Sequence, residues 1–126
     1  MTENEMRYVS ASVHDKLLVI TILVEQFRDP KITYAMRDEI RSLIDPAKMS
    51  QVVLDFQRVT FVGSLGLLAF LAVRRHFAGG QIVFCNFSDS IRGVFEICRL
   101  VSPNPSVMAP FDVEDSLEAA LVRCSE

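Results

Sequence analysis

The segment Gly63-Ser64-Leu65-Gly66 places a serine hydroxyl group between two glycines at the start of an apolar stretch. A hydroxyl group in this position could take part in a reaction. Backbone N–H groups at the start of a helix attract anions, and a serine hydroxyl there can accept a phosphate or act as a nucleophile. A hydrolase nucleophile elbow needs the pattern Gly-x-Ser-x-Gly, followed along the chain by an acid and then a histidine. Here Ser64 follows Gly63 directly, and the one later histidine, His76, lies in the same predicted helix. The spacing therefore argues against hydrolysis.

Asp55, two histidines and three cysteines are the other reactive groups in the chain. Asp55 ends an apolar strand with no acid or histidine beside it, so we expect its carboxylate to accept hydrogen bonds from loop N–H groups. His14 falls in a polar turn and His76 at a helix end, which indicates solvated side chains. The cysteines lack metal-binding spacing, and we expect Cys85 and Cys98 to be small buried side chains. We predict no metal, no cofactor and no enzymatic activity.

The composition bounds the class of protein. The 126 residues are 50% hydrophobic and 23% charged, with a formal net charge of −3, which fits one globular domain over residues 1–126. A weakly acidic chain is a poor ligand for nucleic acid, and its one basic turn, Arg74-Arg75-His76, is expected to be a solvated helix face. No apolar run approaches the ~20 residues of a membrane-spanning helix. Cysteines whose spacing suggests no disulfide bonds are typical of proteins from a reducing compartment. We expect a cytoplasmic protein that neither binds nucleic acid nor inserts into a membrane.

Strands and helices are predicted to alternate along the chain and to hold these groups in place. Two β-rich runs, Met6–Val13 and Leu17–Val24, predict an antiparallel hairpin. Asp29 followed by Pro30 predicts the start of a helix. Further strands are predicted at 51–56, 81–86 and 106–109, and helices at 30–44, 64–77, 89–99 and 112–124. This order predicts an α/β fold with a mixed, mostly parallel sheet of four to five strands and about four helices packed against it.

Functional groups in such a sheet gather beyond the carboxyl ends of its strands. Four segments are candidates for this position in the chain: Gln26-Phe27-Arg28, Gln57 to Ser64, Asn86-Phe87-Ser88 and Pro110-Phe111. The segment Gln57 to Ser64 also leads into the most apolar predicted helix, so we expect any site to be centred on this segment.

The motifs and their order resemble the STAS domain family, whose best-known members are bacterial anti-sigma factor antagonists. The resemblance rests on VVLDF at 52–56, VTFVGSLGLL at 59–68, GGQIVFCNFS at 79–88 and VEDSLEAAL at 113–121. It implies a bacterial signal-transduction module that regulates transcription by binding a protein partner, an anti-sigma factor that is also a serine kinase. It also allows a homodimer.

In the family that the chain resembles, the second serine of an Asp-Ser-Ser-Gly motif is phosphorylated by that kinase. Gly63 stands at the aspartate, Ser64 at the first serine and Leu65 at the second serine. The resemblance therefore implies that the usual phosphorylation switch is lost or has moved to Ser64. Two roles stay open for Ser64, a displaced phosphoacceptor or the N-cap of the helix. Leu65 either is exposed as a constitutive docking residue or folds into the core.

The resemblance also implies a partner-binding surface at the helix tip and the two neighbouring loops. Its members would be Gly63, Ser64, Leu65, Gly66, Leu68, Phe27, Arg28, Phe87 and Ser88. Two other functions stay open at this point. STAS-like chains also serve as accessory subunits of ATPase-driven membrane lipid transport complexes, and the helix N-terminus could instead bind a small anion or a nucleotide.

Overall fold

The structure is a computed structural model, and it describes residues 6–102, 104 and 108–125. Strands and helices alternate after an initial hairpin. In chain order they are β1 (Val9–His14), β2 (Leu17–Ile22), β3 (Gln26–Phe27), α1 (Pro30–Leu43), β4 (Gln51–Asp55), β5 (Phe61–Val62), α2 (Ser64–His76), β6 (Gln81–Cys85), α3 (Asp89–Ile97), β7 (Asp112–Glu114) and α4 (Leu117–Ser125).

The main sheet has five strands in the order β1-β2-β4-β6-β7. β1 is antiparallel to β2, and every other neighbouring pair is parallel. Asp15 has a φ of 58° in the tight turn that joins β1 to β2. The predicted α/β class, with a mostly parallel sheet and four helices, is therefore confirmed.

The two faces of this sheet are covered unequally. Helices α1, α2 and α3 cover the first face, where the larger core contains Ile20, Leu54 and Phe84 from the strands. Helix α4 covers the second face, and its Ala120 and Cys124 pack there with the remaining core residues, Val19, Val53, Val83 and Cys85. The alternation of side chains along each strand accounts for this division.

Three helix termini show how local sequence sets the elements. Asp29 caps α1, because its Oδ1 accepts a hydrogen bond from the Lys31 N–H at 2.9 Å. Ser88 caps α3 in the same way, and both caps were predicted. At the end of α2, Arg74 donates hydrogen bonds to the carbonyl oxygens of Phe77, Gly80 and Pro110. Arg74 is partly buried and satisfies the carbonyl oxygen of the C-cap residue and those of two loop residues, so the predicted solvated basic turn is wrong at this residue.

The last part of the chain also departs from the prediction. Residues 112–114 form strand β7, and the helix predicted to begin at Asp112 begins at Leu117. The predicted strand at 106–109 lies partly outside the described residues, and its described residues Met108 and Ala109 are not in a strand. The short strands β3 and β5 were not predicted.

Candidate functional site

A small parallel sheet at the carboxyl end of the main sheet positions the start of α2. Gln26 of β3 lies opposite Phe61 of β5, and Phe27 lies opposite Val62. The pairing is extended on one side, where the Thr60 N–H donates to the Glu25 carbonyl at 2.7 Å. This sheet brings together the loops that follow β2 and β4, at the carboxyl ends of the strands where sites in open α/β sheets form.

Gly66 allows the first turn of α2 to lie directly on this small sheet. A Cβ atom at Gly66 would lie 2.8 Å from Val62 Cγ1 and 3.1 Å from Phe27 Cβ, distances that side chains do not tolerate without a shift. Gly66 is consequently buried. It shapes the site from beneath, and a partner could not touch it as the sequence had suggested.

Gly63, and not Ser64, is the N-cap of α2. Its backbone is extended, with φ −88° and ψ −175°, and its carbonyl accepts the Leu67 N–H at 3.1 Å. No side chain caps this terminus. Ser64 is the first helical residue, and it is exposed. The interpretation of Ser64 as the N-cap is therefore wrong.

The exposed and partly exposed residues around this terminus form what we call the tip surface: Arg28, Phe61, Ser64, Leu65 and Leu68. All except Leu68 line a shallow cavity of about 260 Å³, together with Phe27 and Gly63. The Arg28 guanidinium carbon lies 4.0 Å from the centre of the Phe61 ring, and its Nε donates to Gln26 Oε1 at 3.0 Å. Leu65 is partly exposed, and Leu68 is 58% exposed. The tip surface thus combines aliphatic area with one positive charge.

Phe27 and Phe87, both expected on the partner-binding surface, belong to an aromatic cluster in the core. The Phe27 ring is 1% exposed and meets Phe70 edge-on, with 5.7 Å between ring centres. Phe87 is partly buried, and its ring centre lies 5.0 Å from that of Phe56 and 4.8 Å from that of Phe95. Phe27 is therefore a support of the tip surface, with its ring out of reach of a partner.

Ser88 and Phe61 complete the comparison with the expected surface. Ser88 is exposed, and its Oγ accepts the Ile91 N–H at 3.2 Å as the cap of α3, outside the tip cavity. Phe61 lies in the tip surface, although sequence reasoning did not select it. The signal available in the sequence was a phenylalanine two residues before Gly63, at the end of the connection that follows β4.

Asp55 performs the structural role that was predicted for it. Its Oδ1 accepts hydrogen bonds from the Gln57 N–H and from Asn86 Nδ2, both at 2.9 Å. The side chain is 5% exposed, and Asn86 holds the left-handed backbone of the facing loop, with φ 60°. Asp55 therefore ties the ends of β4 and β6 together beneath the surface.

The histidines and cysteines lie outside the tip surface. His14 and His76 are both exposed as expected, and His76 Nε2 also lies 2.9 Å from the Ile44 carbonyl oxygen. Cys85 is buried, and burial, followed by the nearby Asp55 charge, raises its pKa to about 12. Cys98 is exposed, so its predicted burial is wrong.

The tip surface has no machinery for acid–base catalysis among the residues that the structure describes. No histidine or carboxylate lines the cavity beside Ser64. The described residues also contain no cluster of histidine, cysteine or carboxylate side chains suited to a metal. Within the same part of the chain, none of the helices has the length and apolar character needed to cross a membrane.

Comparison with known proteins places this geometry in context. A model of the STAS domain family matches residues 31–120. The unphosphorylated anti-sigma factor antagonist SpoIIAA is 20% identical, with a TM-score of 0.65, and the alignment covers 93% of this chain and 97% of SpoIIAA. An anti-sigma factor antagonist from Mycobacterium paratuberculosis is 18% identical, with a TM-score of 0.72 over 94% of this chain and 93% of that one.

The same fold occurs within a longer protein. The murine anion transporter Slc26a9 is 18% identical, with a TM-score of 0.66 over 90% of this chain but 18% of the transporter. At these identities the structures establish a shared fold. No curated protein matches the sequence.

Proposed function

The chain belongs to the STAS domain family, and we propose that it is a regulatory module that binds an anti-sigma factor of the serine-kinase type. The observation that carries the proposal is the tip surface, which exposes aliphatic side chains and one arginine and has no acid–base pair beside Ser64. Such a surface is suited to binding and has no group arranged for catalysis.

The chemistry of the tip surface indicates what the partner should offer. Leu65 and Leu68 provide apolar area on the first two turns of α2, and buried aliphatic contacts of this kind stabilise an interface. Arg28 and the positive end of the α2 dipole favour a partner with a carboxylate at the matching place. We therefore infer a partner surface with an apolar patch flanked by acidic side chains.

Leu65 removes the charge switch that a serine would provide at its position. Leucine cannot accept a phosphate, so no negative charge can be added there to expel a partner. Ser64 remains the candidate phosphoacceptor of the tip surface, because it is exposed and lines the same cavity as Arg28. A shift of one residue turns a helical side chain by about 100°, so a phosphate on Ser64 would point elsewhere on the tip.

The binding proposal is tested with Leu68→Asp and a matched control, Val122→Asp. The two residues are 58% and 56% exposed on helices that cover opposite faces of the sheet. Each serine-kinase anti-sigma factor encoded in the same genome is titrated by calorimetry against the wild-type chain and both variants. We expect Leu68→Asp to weaken binding at least ten-fold and Val122→Asp to leave it within two-fold. Equal binding by all three chains, or binding to none of these factors, would remove the proposal.

Phosphorylation is tested by incubating the chain with the bound kinase and ATP, followed by intact mass measurement. Addition of one phosphate to the wild type and none to Ser64→Ala would assign a displaced switch to Ser64. If neither chain gains mass while binding persists, the module docks without a switch at the tip. Ser90→Ala is the control, because Ser90 is exposed on α3, away from the tip cavity.

A further inference from the structure

Three side chains share the outer face of the small sheet formed by β3 and β5. Side chains alternate between the two faces of an extended strand, so Gln26 and Arg28 lie on one side and Phe27 on the other. Phe61 is opposite Gln26 in the register and shares its face. Phe27 is buried, whereas Gln26 and Arg28 are exposed and Phe61 is partly exposed. The core therefore takes the inner face of this sheet, and Gln26, Arg28 and Phe61 are left at the surface.

Arg28 is held at two points on this face. Its Nε donates to Gln26 Oε1 at 3.0 Å, and its guanidinium carbon lies 4.0 Å from the centre of the Phe61 ring, where the ring face attracts the cation. These two contacts use the Nε group and one flat side of the guanidinium. Within the described residues, neither terminal nitrogen of Arg28 has a hydrogen-bond acceptor. The terminal nitrogens form a fork that can bind a carboxylate through two parallel hydrogen bonds.

The charge of Arg28 has no counter-charge in the part of the chain that the structure describes. Two acids lie within three residues of it, Glu25 and Asp29, but neither forms an ion pair with Arg28. Asp29 Oδ1 instead accepts the Lys31 N–H at 2.9 Å as the cap of α1. Gln26 is an amide, so it orients the guanidinium without cancelling its charge. A carboxylate at that position would hold Arg28 equally well but would neutralise it.

We propose that Arg28 is a preformed receptor for one aspartate or glutamate side chain of the protein partner, and that Gln26 and Phe61 are the positioning residues that hold it. The inference rests on the proposed function, because it names the group that an anti-sigma factor must present to the tip surface. A guanidinium that is already fixed loses less conformational freedom when the complex forms. A partner without an acid at this place would cover the Arg28 charge without pairing it, which costs affinity and selects against that partner.

The size of the tip cavity favours a side chain as the occupant. Its volume of about 260 Å³ is below the roughly 300–1,000 Å³ of typical small-molecule sites. Leu65 lines the same cavity as Arg28, and Leu68 is exposed about one turn further along α2. An acidic side chain seated at Arg28 would therefore bring neighbouring apolar groups of the partner against these two leucines.

Gln26→Glu tests the receptor by changing its charge and keeping its shape. The substituted side chain still accepts from Arg28 Nε, but it forms an ion pair that occupies the positive charge. We expect calorimetric titration with the anti-sigma factor that binds the wild type to show at least about ten-fold weaker binding. Gln57→Glu, which adds the same charge at an exposed position outside the tip cavity, should stay within about two-fold. A purely structural role for Gln26 would leave binding unchanged in Gln26→Glu, and that result would overturn the proposal.

Arg28→Lys tests the fork itself. Lysine keeps the positive charge but has a single nitrogen and no flat face to stack on Phe61, so we expect the same titration to show a loss of about ten-fold. Wild-type affinity in Arg28→Lys would mean that charge alone is recognised, which contradicts a receptor built on the guanidinium.

An acetate titration of the free chain tests the receptor without any partner. The Nε–Hε signals of Arg28 and Arg58 are followed by NMR, because Arg58 is also exposed but its side chain has no hydrogen bond, ion pair or ring contact within the described residues. We expect acetate to shift the Arg28 signal more than the Arg58 signal, and sodium chloride of the same ionic strength to leave both in place. Gln26→Glu should abolish the Arg28 shift. Equal shifts at the two arginines would refute a preformed receptor.

These outcomes separate the inference from the proposed function. If Gln26→Glu and Arg28→Lys bind like the wild type while Leu68→Asp does not, the receptor is refuted and the proposed function stands. If no anti-sigma factor binds the wild-type chain, the proposed function fails, and the acetate titration still decides whether Arg28 receives carboxylates.

Discussion

The backbone conformation of the tip surface depends on two glycines, which carry no side chain, more than on any reactive group. Gly66 lets α2 approach β3 and β5 closely, and Gly63 ends the preceding extended segment without a side-chain cap. The sequence predicted a glycine-dependent helix start, but not which residue caps it. The N-cap is the residue whose carbonyl accepts the first helical hydrogen bond. The packing of Gly66 against Val62 determines which residue that is.

Gly66→Ala tests this close approach. The new methyl group would meet Val62 Cγ1 at 2.8 Å, so we expect a loss of about 1–3 kcal/mol in the free energy of unfolding. Gly79→Ala is the matched control, because nothing lies within 4 Å of its Cβ position and its φ is not positive. That control should be neutral or gain up to about 1 kcal/mol. Urea denaturation measures both changes, and a loss at Gly79 as large as that at Gly66 would contradict the steric explanation.

Among the helices that the structure describes, α4 is the one that covers the second face of the sheet. Arg123 links it to β7 through Glu114 at 2.6 Å and Asp112 at 3.3 Å. Two glutamines extend this polar network across the sheet. Gln81 donates a hydrogen bond to the Asp112 carboxylate, and Gln51 donates one to the side-chain oxygen of Gln81. The position of α4 therefore rests on charge as well as on apolar burial.

Arg123→Met should loosen α4 while keeping the apolar stem of the side chain. We expect a loss of about 0.5–1 kcal/mol, since the pair is partly exposed and solvent screens it. Hydrogen exchange should show the increase first in the α4 amides. Arg92→Met is the control, because Arg92 pairs with the fully solvated Asp115, and it should cost less than about 0.5 kcal/mol. Uniform exchange across the sheet in Arg123→Met would contradict a local role for this link.

The elements differ in how far the sequence determined them. Long periodic segments such as α1 and apolar runs such as β4 and β6 were predicted because their own side chains set their period. The two-residue strands β3 and β5 carry no such pattern, and they pair across 35 positions of the chain, from Gln26 to Phe61. β7 was missed because Val113 alternates with two acidic residues whose charges are satisfied by Arg123 on the following helix.

At the scale of the whole molecule, two buried thiols link global stability to pH. Cys85 and Cys124 both lie in the core of the second face. Burial raises the pKa of Cys85 from 9.0 to about 12, and burial also raises that of Cys124. Above pH 9 the unfolded chain loses these protons while the folded chain keeps them, so stability must fall as the pH rises.

We expect this fall between about pH 9 and pH 12, by at most about 1.4 kcal/mol per pH unit for each thiol. Urea denaturation from pH 8 to pH 11 measures it. The double variant Cys85→Ala/Cys124→Ala should be less stable at pH 8 but should show a shallower fall. Cys98→Ala removes an exposed thiol, and its slope should match that of the wild type. A double variant with the full wild-type slope would refute the assignment.

The order of strands in the sheet has a consequence for synthesis on the ribosome. Each parallel strand of the main sheet pairs with the main-sheet strand that precedes it in the chain, so a nascent polypeptide can add strands in the order in which they emerge. Helix α4 follows all of these strands in the chain, and until it emerges Val53 and Val83 lack its cover on the second face. A translation pause before residue 117 would therefore leave a bare apolar stripe of the kind that chaperones bind.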